Sequence, residues 1–244
     1  IRLLSVEFRL FKGLRELTYV QELWNSVDSA LGTAGAWLLV AATAAARGLA
    51  IISDEVFSDY PLLAKPDASS FAGEARALTF TLGGLSKSVG LPQHKLAWII
   101  VSGPPDLVTP ALERLDVIAD SYLSVGTPVQ WAAGALLRAG TAVRDQIGRR
   151  LRANLDVLRS RTRRTPALTL YEPEGGWSAV LRIPSHLSEE ALVIAAIQRG
   201  VRVHPGYFFD FPTGAYLVLS LLPAPRVFEE GVDLLFDVVE DHLQ

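Results

Sequence analysis

The sequence predicts an α/β domain followed by a smaller α+β domain, and three observations lead there. Short, uniformly apolar runs, "LAIIS", "ALTFTL" and "AWIIVSG", are each ended by glycine or by an acidic pair. Uniform rather than alternating runs suit strands covered on both faces, the habit of α/β sheets. From about residue 166 the pattern changes to strand, Gly-Gly turn, strand, helix, strand, strand and helix, which is the order of an α+β unit. Half of the 244 residues are hydrophobic, enough to bury a substantial core.

The elements follow in order. Residues 34–47 are rich in alanine and leucine, strong helix formers, and the predicted helix stops at Gly48. The strand "LAIIS" runs into Asp54 and Glu55, and a second strand spans 77–82 and a third 97–103. Functional groups of such sheets collect at the carboxyl ends of strands, where Asp54 and Lys87 stand. Pro104 and Pro105 open a helical segment, "TPVQWAAGALLRAG" forms another, and "VRDQIGRRLRANLDVLRSR" a long third with Val143, Ile147, Leu151, Leu155 and Leu158 on one stripe. Beyond it come strands at 167–171 and 177–183, a helix at 188–199, strands at 201–204 and 215–220, and a closing helix at 225–242.

Charge and composition exclude several function classes. The net charge of -3 provides no basic field for nucleic acid or an anionic membrane. The absence of cysteine removes disulfide frameworks, Cys-ligated zinc and thiol nucleophiles, and no metal site is expected. The longest apolar stretch, "AGAWLLVAATAAARGLAII", is broken by Arg47 and Gly48, so it reads as helix then strand rather than a membrane span. Residues 1–24 carry Glu7 and Glu16 among arginines, unlike a signal peptide. A soluble, cytoplasmic protein is expected. Methionine is missing even at position 1, which suggests a processed chain or one that begins inside a longer protein.

The stretch "TFTLGGLSKSVGLPQHKLAW" (79–98) carries the chemistry. Lys87 lies in a glycine-rich turn between two apolar strands, and Lys95 follows eight residues later. A lysine amine held in a fixed, partly desolvated turn can form a Schiff base with a carbonyl. Pyridoxal 5'-phosphate is the best-known such partner, and it needs a carboxylate beside its ring nitrogen. Asp54 is the natural carboxylate.

Taken together, "IISDEVFSDY", "GLSKSVGLPQHKLAW", "YLSVGTPVQWAA", "PEGGWSAVLRIP" and "GVRVHPGYFFDF" resemble the class I/II aminotransferases, fold-type I pyridoxal-phosphate enzymes, over roughly residues 30–244. The resemblance implies a partial fold-type I architecture. Residues 1–29 would be an unassigned N-terminal segment, 30–145 the second half of the cofactor-binding large domain, and 146–244 an interdomain helix with the small C-terminal domain. It further implies that Lys87 is the Schiff-base lysine and catalytic base, that Asp54 pairs with the ring nitrogen, and that Ser86 and Lys95 hold the phosphate. The expected activity is transfer of an amino group between an amino acid and a 2-oxo acid by a homodimer, with "YLSVGTP" crossing to the neighbouring subunit.

Departures from the family's pattern accompany these matches. Lys95 stands where arginine is usual, exchanging a bidentate clamp for a point charge. Phe57 occupies the usual tyrosine position of the cofactor site and cannot donate a hydrogen bond, which leaves Tyr60 to be considered in its place. Val218 replaces the arginine that grips the substrate carboxylate, so Arg182 becomes the candidate for that grip, with Tyr207 and His204 at the substrate mouth. The expected Asn-Pro-x-Gly motif is absent from "WNSVDSALGTAGAW". The alternatives are a non-catalytic sensing or dimerisation module of aminotransferase-like fold, or a pyridoxal-phosphate-dependent lyase.

Overall fold

The computed structural model describes residues 37–63, 70–211 and 214–243. The readings made on residues 1–29 and on the "WNSVDS" segment lie outside them. Two compact units divide the described chain: 37–59 with 70–144, and 60–63 with 145–243.

In the first unit residues 37–46 are helical (α1) and Gly48, at φ 61°, reverses the chain. Glycine adopts that left-handed conformation without the Cβ penalty of other residues. The chain then enters β1 (Ile51–Asp54), which pairs in parallel with β2 (Thr79–Gly84). Short helix α2 (Leu85–Ser88) and a 3-10 turn (Pro92–His94) bring the chain back as β3 (Ala97–Ser102), antiparallel to β2. The described sheet is therefore mixed, in the order β1-β2-β3. Ala41, Ala44, Ile51, Phe71 and Ala77 form a core cluster on one face, with Trp37 packed 3.9 Å, centroid to centroid, from Phe71.

Burial is uneven along these strands. Ile51 and Ser53 of β1 are buried, whereas Ile99 and Ile100 of β3 are 48% and 44% exposed. The uniformly apolar run of β3 is thus not covered on both faces by the described residues. Helices α3 (Pro105–Asp120) and α4 (Thr127–Ala139) complete the unit, both started by proline near N1. They leave Leu107, Leu112, Val117, Ile118 and Trp131 exposed.

The second unit is closed by comparison. Helix α5 (Thr141–Thr162) starts just ahead of it and contributes Leu151, Leu155 and Leu158, all fully buried. Of the expected apolar stripe, Val143 is 42% exposed, while Asn154 is fully buried. Its Nδ2 donates to the carbonyls of Leu221 and Pro223, each at 2.9 Å, while its Oδ1 finds no partner among the described residues. Strands β4 (Thr169–Tyr171), β5 (Ser178–Ile183), β6 (His204–Pro205) and β7 (Ala215–Ser220) form an antiparallel sheet ordered β4-β5-β7-β6. β6 is shorter than the expected 201–204 strand and is displaced toward Pro205, which has no N–H to extend a ladder. Helix α6 (Glu189–Gln198) is capped by Ser188, whose hydroxyl accepts from the Ala191 amide at 3.2 Å. Helix α7 (Pro225–Leu243) buries Phe228, Val232, Leu235, Phe236 and Val239, the i, i+4, i+7 spacing of an apolar face.

Candidate active site

Asp54 is the last residue of β1 and pairs in register with Leu82 of β2. Its Oδ1 accepts the Val56 amide at 3.2 Å, which starts a turn closed by the Ser58 amide donating to the Glu55 carbonyl at 3.0 Å. Phe57 sits in that turn, half-buried.

Five residues beyond Leu82 the chain presents Lys87. β2 ends at Gly83 and Gly84 because nothing larger fits: a Cβ at Gly83 would run into the Trp98 indole, and one at Gly84 would press on the Leu96 carbonyl at 3.1 Å. The Leu85 amide donates to Leu96 at 3.0 Å, and Leu85 and Ser88 are buried as anchors of α2. Ser86 and Lys87 remain half-buried. Lys87 Nζ lies 5.4 Å from the centroid of the Phe57 ring, within cation–π range. The two sequence-predicted residues with opposite charge thus stand at the carboxyl ends of adjacent parallel strands. Lys95 closes the 3-10 turn in the left-handed region, φ 51°, and is exposed. A non-glycine residue in that region is uncommon, and such outliers concentrate where function holds them.

These residues fit pyridoxal phosphate by the chemistry of their donor set. Lys87 offers an amine to an aldehyde, Asp54 an anion to a protonated ring nitrogen, and Ser86 and Lys95 a hydroxyl and a cation to a phosphate. Phe57 offers a ring face and no hydrogen bond. Tyr60 is 2% exposed and packs edge-on against Trp177, centroids 5.3 Å apart.

In the second unit, Val218 is 4% exposed and packs with Val180 and Tyr216, so it is a core residue. Arg182 pairs with Tyr216, and Val180 and His204 both pair with Val218. Since side chains two apart along a strand share a face, Arg182, Val218 and His204 lie on one face of this sheet. Burial pushes the Tyr216 hydroxyl above its usual range, helped by a hydrogen bond with Tyr171, while the charge of Arg182 acts in the opposite direction. Tyr207 is half exposed on the 3-10 segment Gly206–Phe209, its ring edge-on to Phe208 at 5.0 Å.

Two carboxylates were given no role by sequence reasoning. Glu55 gathers donors from Ser53, Ser70 and Phe71. Glu189 accepts the Tyr207 amide at 3.0 Å and the Tyr216 amide at 2.6 Å, fastening the segment that carries Tyr207. No local motif announces either, because every partner named except Ser53 lies 15 to 27 residues away. Among the described residues no cluster of three or more histidine, aspartate or glutamate side chains could hold a metal, and no helix is long and apolar enough to cross a membrane.

Asp54 thus ends one strand of a parallel pair, Lys87 stands beyond the end of the other, and an antiparallel strand follows. The family model for aminotransferase class I and II matches residues 24–217, and the chain belongs to that family. Alanine aminotransferase of Mycobacterium tuberculosis is 23% identical over 205 residues, covering 80% of this chain and 47% of that protein. Glutamate-pyruvate aminotransferase AlaA of Haemophilus influenzae is 25% identical over 174 residues, covering 68% and 43%. The crystal structure of Pyrococcus horikoshii kynurenine aminotransferase in complex with PMP superposes with a TM-score of 0.69 at 18% identity, covering 86% of this chain and 52% of that one. The chain therefore spans about half the length of the curated relatives it matches. Its fold is that of part of a fold-type I enzyme, and pyridoxal phosphate is the cofactor that the family implies.

Proposed function

We propose that this chain forms part of a pyridoxal-phosphate-dependent aminotransferase that moves an amino group between an amino acid and a 2-oxo acid. The observation that carries the reading is the placement of Asp54 and Lys87 at neighbouring strand ends. When bound, pyridoxal phosphate supplies a sink for the electrons released at the substrate α-carbon. Lys87 Nζ would hold the cofactor's aldehyde carbon and, as a free amine, would take the substrate α-carbon proton and return it at a different carbon. Asp54 holds a proton on the ring nitrogen through its carboxylate. Ser86 Oγ and Lys95 Nζ bind phosphate, and the Phe57 ring gives the site an apolar wall.

The names of the curated relatives favour a small amino acid such as alanine as amino donor. Arg182, on the same sheet face as Val218, is the proposed anchor for the substrate carboxylate, and Tyr207 a second substrate contact. Residues 30–145 would belong to the cofactor-binding domain and 146–244 to the interdomain helix and small domain. The working form would be a cytoplasmic homodimer. A second reading, a non-catalytic sensing module, draws on the burial of Val218 where a substrate-gripping cation is expected.

The test is product analysis with pyridoxal phosphate, a panel of amino donors and 2-oxo acids, and Arg182→Ala beside the parent chain. Formation of the paired 2-oxo and amino products, with KM raised about tenfold or more by Arg182→Ala for a lost charge-assisted contact, is the expected result. Elimination products would replace the transferase with a lyase, and binding without turnover would favour the sensing module.

A further inference from the structure

We infer that Glu55 is a positioning residue for the cofactor site, acting through Asp54. The inference rests on the reading that Asp54 meets the ring nitrogen of pyridoxal phosphate.

Every polar group of Glu55 is engaged. Its amide donates to the Leu82 carbonyl at 3.1 Å, and its carbonyl accepts from the Ser58 amide at 3.0 Å. Oε1 accepts from Ser53 Oγ at 3.0 Å and from the Phe71 amide at 2.9 Å, and Oε2 accepts from Ser70 Oγ at 2.6 Å. The backbone bonds continue the β1–β2 ladder past Asp54 and close the turn in which the Asp54 carboxylate is itself held.

The side-chain bonds act on the opposite face of the strand. Ser53 and Glu55 point to one side of β1 and Asp54 to the other, because side chains alternate. Tying Ser53 to Glu55, and Glu55 to the 70–71 segment, therefore fixes the strand's rotation without occupying the side that Asp54 faces. The clamp is itself anchored. Phe71 is 1% exposed in the core, its carbonyl accepts from Ser102 Oγ at 3.3 Å, and Ser102 Oγ in turn accepts the Gly73 amide at 3.2 Å. A carboxylate carrying three donors loses mobility at both ends, and the peptide joining it to Asp54 loses it too.

The bland account is that Glu55 merely fastens residues 70–73 to the sheet. Absorption titration with pyridoxal phosphate, the pH dependence of the bound cofactor's band, and amide hydrogen exchange at Phe71 separate the two. The chain is compared with Glu55→Ala, Glu55→Gln and Lys87→Ala. Glu55→Ala should weaken the Lys87-dependent titration about tenfold, the equivalent of one hydrogen bond to a charged group, and should shift the band's pH dependence. Glu55→Gln, which keeps an Oε1 acceptor for Ser53 and Phe71, should restore most of both. If Glu55→Ala does not fold, Ser70→Ala removes one donor and should weaken the titration about threefold.

Faster exchange at Phe71 with an unchanged titration and band would overturn the inference alone. A parent chain without any Lys87-dependent band would overturn the cofactor reading and this inference with it.

Discussion

The two units solve different problems with similar materials. The second unit buries its core deeply: Leu155, Leu181, Leu217 and Phe236 are at most 1% exposed, and the fully buried Asn154 donates two hydrogen bonds. The first unit leaves Leu123 and Trp131 almost wholly exposed, where the second unit's exposed apolar side chains such as Ile197 and Phe208 are partly covered, and it carries Asp54 and Lys87 at strand ends. Deep apolar burial characterises one unit, and the Asp54 and Lys87 strand ends characterise the other. That is the division expected when a site needs reachable groups on a rigid edge while folding free energy comes from apolar burial.

The comparison can be broken by substitution. Leu155→Ala, in the sealed core, should cost about 2–5 kcal/mol in urea unfolding, and a loss below about 1 kcal/mol would mean that the second unit is looser than its burial implies. Asn154→Ala should cost about 1–3 kcal/mol by leaving two carbonyls without their donor. In the open unit Leu123→Ala, at a fully exposed position, should change stability by less than about 0.5 kcal/mol. A large loss there would show that Leu123 is covered in solution.

The smallest effect concerns pH. Hydrogen bonding to Arg76 holds the Glu74 carboxyl at about 2, below its ordinary 4.5. A depressed carboxylate contributes stability that is fully present above the unfolded value and is lost as pH falls through the folded one. The small Tm difference between the chain and Arg76→Ala should therefore be constant above about pH 5 and vanish toward pH 2. A difference that persists at pH 2 would assign it to packing of the Arg76 stem.

Much of this organisation is legible in the sequence, for identifiable reasons. Strand ends announce themselves through glycine and acidic residues, so the Asp54 and Lys87 positions follow from short patterns. The amphipathic face of α7 and the Ser188 cap are similarly local. What escapes is non-local. Val143 fits the apolar stripe yet stays exposed, and Asn154 breaks it yet is buried, the carbonyls that accept from its Nδ2 lying 67 and 69 residues away. The exposure of Ile99 and Ile100 has the same origin, since composition marks a strand as apolar without saying what covers it. Glu55 reads as half of an acidic pair until Ser70 and Phe71 are brought beside it.

The proposed chemistry needs one amine among four lysines, Lys12, Lys65, Lys87 and Lys95. Incubating the chain with pyridoxal phosphate, fixing the attachment with borohydride and mapping the modified peptides by mass spectrometry tests it directly. A single stoichiometric modification at Lys87 is expected, with an accompanying absorption band that disappears in Lys87→Ala. Modification spread over the other lysines, or persisting in Lys87→Ala at the same level, would contradict it.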